Sequence, residues 1–129
     1  DDDIRALYYD IVNRKEIDPA SVFERASQLK YNLQTAAYLF NRIAEFMLLT
    51  GENRKAYALS LASYKLNNIY QYPLGEATSI EMIKKASKLL SLKVSPEITK
   101  RGKACIAQLE REKHTILNLK DTEMSWLFN

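Results

Sequence analysis

One histidine, one cysteine and sixteen carboxylates are the residues with which this 129-residue chain could do chemistry. His114 lies in the charged run Arg111-Glu112-Lys113-His114. A metal site needs several ligands converging on one ion, and a lone histidine on a charged helical face does not supply them. Cys105 falls among apolar residues and reads as a small core side chain. A nucleophilic thiol wants a basic partner, and His114 stands about two and a half turns further along the same helix. The carboxylates are scattered singly or sit where helices begin. No glycine-rich phosphate loop, CxxC pair, HExxH or GxSxG occurs. Arg111 and His114 are also too close together for the Arg and His pair of helical nucleases. The sequence therefore reads as a chain without a catalytic set, without a metal and without a cofactor. The eight tyrosines raise the question of base stacking. Tyr8, Tyr57 and Tyr64 fall on apolar helical stripes and read as core or groove residues. Tyr31, Tyr70 and Tyr72 lie near helix ends.

These residues are carried by helices. Ile4, Leu7, Tyr8, Ile11 and Val12 keep the i, i+3, i+4, i+7 period, and the pattern stops before Asn13–Asp18. Asp18-Pro19 supplies an N-cap and a proline at the first helical position. From Ala20 to Thr50 there is neither Gly nor Pro, so this is one long helix or two, with a break expected in the polar cluster Lys30–Thr35. Gly51 marks a helix stop. The period resumes over Asn53–Tyr70, and Tyr72-Pro73-Leu74-Gly75 is expected to close that helix and turn the chain. Thr78-Ser79-Ile80-Glu81 has capping-box spacing, so the next helix is expected to begin there, with Ile80, Ile83, Ala86 and Leu90 inward. Ser95-Pro96-Glu97 opens the last helix, whose stripe is Ile98, Gly102, Cys105, Ile106 and Leu109. Glu110–His114 interrupts that stripe, so this part is expected to project into solvent or meet a partner. Ile116, Leu117, Trp126, Leu127 and Phe128 follow as the candidate interface.

Composition agrees with this reading. An apolar fraction of 47% beside 27% charged residues is that of a folded chain. Three Gly and three Pro are too few for a β-sandwich of this size. Residues 1–129 are expected to form a single all-α domain of stacked antiparallel hairpins, tetratricopeptide-like, with about five to six helices in pairs of about 35 residues. The opening Asp1-Asp2-Asp3 looks like a cut from something longer. No apolar run approaches membrane-spanning length, so no membrane partner is expected. One cysteine and no Asn-x-Ser/Thr sequon point to an intracellular address. The net charge of +3 is unevenly placed, with ten bases against four acids over residues 79–120. Lys84, Lys85, Lys88, Lys100, Arg101 and Lys103 form the candidate face for nucleic acid or an acidic partner, against the plainer reading of a solvated lysine-rich surface.

The stretch SIEMIKKASKL (residues 79–89) resembles a helix of the C-terminal homology domain of the Lilliputian/fragile-X-E family, the scaffold proteins of the super elongation complex. That family's pattern is a Thr or Ser, an aliphatic, Glu, two aliphatics, a base, then Ala and a closing basic–Leu pair. Its next helix opens Thr-Pro-Glu, with a Cys ten residues after the Thr and a later Leu-Lys pair. Ser95-Pro96-Glu97, Cys105 and Leu119-Lys120 keep that spacing. Residues 24–31, ERASQLKY, and 46–51, FMLLTG, are similar to upstream family segments, so the likeness spans residues 22–120. The segment between Gly51 and Ser79 is longer than the family pattern, the helix around Asn32 to Ala37 is shorter, and the chain stops where the family domain continues. The resemblance implies a non-enzymatic, tetratricopeptide-like domain that forms homo- or heterodimers of a nuclear transcription-elongation scaffold, with nucleic acid a secondary partner.

Two other readings compete. Residues 40–107 also look like the helix–hairpin–helix domain of X-family polymerases and junction nucleases. That hairpin, however, grips phosphate through backbone N–H groups exposed by glycines, and Lys93-Val94-Ser95-Pro96 contains none. A peptide-binding adaptor of tetratricopeptide type fits Phe40, Ala44, Gly51 and Ala56, while Ser60 and Ser63 occupy positions where that repeat wants bulk.

Overall fold

The computed structural model describes residues 2–14, 17–28 and 33–119, with the backbone alone for residues 2–4, 8, 33 and 114–119. The described residues form six helices: α1 (Asp2–Asn13), α2 (Pro19–Ser27), α3 (Leu33–Leu49), α4 (Asn53–Ile69), α5 (Pro73–Leu89) and α6 (Pro96–Leu119). The described residues hold no strand, and the fold is all-α, as the scarcity of turn residues predicts.

The helix boundaries follow from local chemistry. Asp18 caps α2, its carboxylate accepting from the Ser21 backbone N–H, with Pro19 in the first turn. α6 begins at Pro96 with Glu97 in its first turn, where an anion faces the positive end of the dipole. Three successive helices, α3, α4 and α5, end in the same Schellman motif. In α3 the Glu52 N–H donates to Met47 O at 2.8 Å and Gly51 N–H to Leu48 O at 3.3 Å, with Gly51 at φ +82°. In α4 Tyr72 N–H reaches Asn67 O and Gln71 N–H reaches Asn68 O. In α5 Leu92 N–H reaches Ser87 O and Ser91 N–H reaches Lys88 O. The left-handed residue in these last two is Gln71 (φ 51°) and Ser91 (φ 57°), so side-chain-bearing residues occupy positions that favour glycine.

One helix start departs from the sequence reading. The helix expected at Thr78–Glu81 begins six residues earlier, because Pro73 opens it rather than closing the one before. Proline at the first helical position costs nothing, since its missing N–H would lack a partner there anyway. Gly75 is therefore inside the helix, and Ser79 is buried at its centre. α2 ends at Ser27 and α3 begins at Leu33, inside the Lys30–Thr35 stretch where a break is expected.

Short connections make α3, α4 and α5 antiparallel in turn. Two rows result, with α2 beside α4 in one and α3 beside α5 in the other, while α6 packs on α5. Leu7 and Ile11 of α1 join the core, and Lys55 Nζ of α4 holds the Val12 carbonyl at 3.3 Å. The helices approach closely because the interior is rich in alanine. Ala36, Ala37 and Ala44 of α3 meet Ala56 and Ala62 of α4 around Phe40, Leu59 and Leu66.

Candidate functional site

Among the described residues, two polar clusters lie inside this helical frame. The first joins α3, α4 and α5. Ser79 Oγ stands 2.8 Å from Asn41 Oδ1, 3.0 Å from Ser63 Oγ and 2.9 Å from the Gly75 carbonyl. The Ser63 hydroxyl donates to Ala37 O at 2.8 Å. Asn67 Nδ2 donates to Ser63 O at 2.9 Å, and Asn41 Nδ2 reaches Gly75 O at 3.5 Å. All four side chains are buried, and a buried polar group is costly unless it is bonded. Gly75 makes the cluster possible, because a Cβ there would stand 2.2 Å from Asn67 Oδ1. The serines at 63 and 79 thus work inside the fold, and neither caps a helix.

The second cluster fastens α6. Glu76, in the first turn of α5, is fully buried (0% exposed), and Arg101 lies across it with 26% of its side chain exposed. The guanidinium grips both carboxylate oxygens, Nη2 to Oε1 at 2.9 Å and Nε to Oε2. Asn68 Nδ2 donates to Oε2 at 3.2 Å, and the Cys105 thiol approaches the same oxygen at 3.7 Å. Burial alone would push the Glu76 carboxyl up. The bonds from Arg101, Asn68 and Cys105 outweigh it and hold the group below the usual carboxylate range. Burial raises the Cys105 thiol, and the neighbouring Glu76 charge adds to the effect. Tyr64 is raised for the same two reasons. Beside this cluster Ile80 packs against Gly102, where an added Cβ would stand 3.1 Å from Ile80 Cγ2.

Arg101 therefore leaves the basic face assigned from sequence and turns inward to an acid. Lys84, Lys85, Lys88, Lys100 and Lys103 are exposed, as expected. Lys84 Nζ stands 4.0 Å from Glu81, a solvent-exposed pair of small energetic weight. Ile106, placed inward from its period, is half exposed at 50%. Leu90, also placed inward, is the partly exposed residue that follows α5. Tyr70 and Tyr72 are exposed near the end of α4. Ile116 and Leu117 lie on the α6 backbone, and Trp126, Leu127 and Phe128 lie outside the described residues.

The register of α6 is set by Ile80–Gly102 and by Glu76 with Arg101 and Cys105. With antiparallel helices, that places Pro73 level with about residue 109. The helix continues to Leu119, so about ten residues, ~15 Å of helix, run on past the start of α5. Residues 110–113 are all exposed.

Glu76 was not legible as a site residue, because an acid in a first helical turn ordinarily answers the dipole. The one available signal was an Arg–x–x–x–Cys on the next helix, too common to be informative. Among the described residues, no group of three or more His, Cys, Asp or Glu side chains gathers to hold a metal ion. No described helix is long and apolar enough to cross a membrane. No protein-family model matches the chain, and no curated protein or solved structure matches it either.

Proposed function

We propose that the chain is a non-enzymatic helical interaction domain that dimerises through the projecting end of α6. The observation that carries this reading is the length of α6, 24 residues against the 17 of the α5 helix it packs on. Past the start of α5 the helix loses that support, and residues 110–113 are all exposed. The sequence supplies Ile116, Leu117 and Leu119 just there. Two such ends laid together would bury one another in the isologous manner of most dimers. The likeness to the Lilliputian/fragile-X-E homology domain supports a finer version, a dimerisation domain of a nuclear transcription-elongation scaffold.

Light scattering on the whole chain tests it. The mass should climb with concentration from 14.9 kDa toward twice that value. Ile116→Asp with Leu117→Asp should hold it at the monomer value with the helical signal unchanged. A monomer at every concentration sinks the reading. A second reading, nucleic-acid binding, rests on the exposed Lys84, Lys85, Lys88, Lys100 and Lys103. It requires affinity that falls steeply with salt and is lost on charge reversal of the three α5 lysines.

A further inference from the structure

A groove of about 280 Å³ runs between α3 and α5, with the end of α4 as its floor. On the α3 side it extends from Gln34 to Glu45, about 16 Å of helix at 1.5 Å per residue. Its rims carry apolar bulk in water. Tyr38 is 65% exposed, Leu74 53% and Tyr72 45%. The floor is polar, formed by Asn41 (6% exposed) and Asn67 (3% exposed).

These two carboxamides have hydrogen-bonding capacity left over from the core cluster. Asn41 Nδ2 carries two protons and makes one long bond, 3.5 Å to Gly75 O. Asn67 is held through Nδ2 alone, to the carbonyl and hydroxyl of Ser63. Its Oδ1, the atom lying over Gly75, accepts from no donor among the described residues. The floor thus presents one N–H donor and one C=O acceptor, the complement of a peptide group. We infer that the groove between α3 and α5 takes up an extended peptide segment with apolar side chains, paired through its backbone to Asn41 and Asn67.

Three features select this occupant. A helix has already spent its backbone N–H and C=O groups internally, so it could not answer the two carboxamides. An extended chain has them free, and ~16 Å accommodates about five residues at 3.3 Å each. Alternate side chains would then rest on Tyr38 and on the Tyr72–Leu74 rim. Finally, the charged residues of the groove, Arg42 and Glu45, face each other at 3.4 Å. Their charges cancel, so the groove has no surplus cation for a phosphate backbone.

The test is selection of linear dodecapeptides from a phage-displayed library on the whole chain, followed by fluorescence anisotropy with the enriched peptides made synthetically. Binding should weaken about tenfold or more in Thr78→Arg, which fills the groove from an exposed position, and in Tyr38→Ala. It should be lost when central backbone amides of the peptide are N-methylated, and should hold between low and high salt. It should also persist in the Ile116→Asp, Leu117→Asp chain, which separates it from dimerisation. The inference is overturned by failure to enrich any peptide. It is equally overturned by full binding in a normally melting Thr78→Arg chain or to N-methylated peptides, or by steep loss in salt. If Thr78→Arg instead abolishes dimerisation, the occupant is a second copy and the inference also fails.

Discussion

Replacing Arg101 with methionine should undock α6 and reverse the effect of pH on its docking. The parent chain holds a fully buried Glu76 carboxylate against a guanidinium that is itself 26% exposed. Methionine fills similar space but leaves the carboxylate with only Asn68 and the weak Cys105 thiol as donors among the described residues. Removing one partner of a buried pair costs 3–5 kcal/mol, and the partial exposure of Arg101 places this case near ~3 kcal/mol. That is roughly a hundredfold in the opening equilibrium. Because α6 packs on α5, the loss should appear there first. Hydrogen exchange at pH 7 should show residues 98–109 losing about a hundredfold in protection while α3 and α4 keep theirs.

The pH dependence separates an electrostatic cause from lost packing. In the parent, Glu76 is held below its unfolded value. Its contribution is therefore present above about pH 4.3 and fades as pH falls through the lower folded value. In Arg101→Met, burial is no longer offset, so the folded value rises above the unfolded one. Docking should then be strongest below about pH 4.3 and weaken as pH climbs through the raised value. Adding Glu76→Gln should restore most of the protection at pH 7, since no buried charge remains. Exchange in α6 within threefold of the parent, or unchanged pH dependence, would refute the reasoning.

Two substitutions probe the frame. Ser91→Gly should raise stability by about 0.5–1 kcal/mol in urea melts, because Ser91 bears the left-handed φ of 57° that glycine adopts without strain. Destabilisation would show that the serine hydroxyl contributes more than the backbone costs. Gly75→Ala should lower stability by about 1–3 kcal/mol, since its Cβ would stand 2.2 Å from Asn67 Oδ1 and force α4 and α5 apart. A neutral result would mean that Asn67 yields freely, and would remove the case for a fixed carboxamide in the groove.

Much of the fold was readable from local chemistry, and the errors have one physical origin. Asp18-Pro19, Gly51 and Pro96 announced boundaries because their effects are exerted within a turn of themselves. Thr78-Ser79-Glu81 imitated a helix start, but the Ser79 hydroxyl is engaged by Asn41 on one helix and Ser63 on another. Those partners are 38 and 16 residues away, and no periodicity carries that information. The same holds for Arg101. Five of the six assigned basic residues face solvent, and the sixth is distinguished only by Glu76 lying opposite. Gly75 read as a turn because Tyr72-Pro73-Leu74-Gly75 has turn composition, whereas its function is to admit Asn67. The groove stayed hidden because its floor and rims come from three helices.

The Ser79 cluster has a consequence for how uniquely these helices are placed. The α5 face turned to α3 and α4 carries the small residues Gly75, Ser79 and Ala86 beside Met82. A helix meeting alanine-lined neighbours through such a face can slide by a turn, about 5.4 Å, with little change in apolar burial. Such a slide would separate Ser79 from Asn41 and Ser63 at once and leave several buried polar groups with nothing to bond. The cluster acts as a ratchet tooth in an otherwise slippery bearing. An all-apolar replacement of Asn41, Ser63 and Ser79 would melt no earlier, yet would populate several offsets of α5 where the native chain has one.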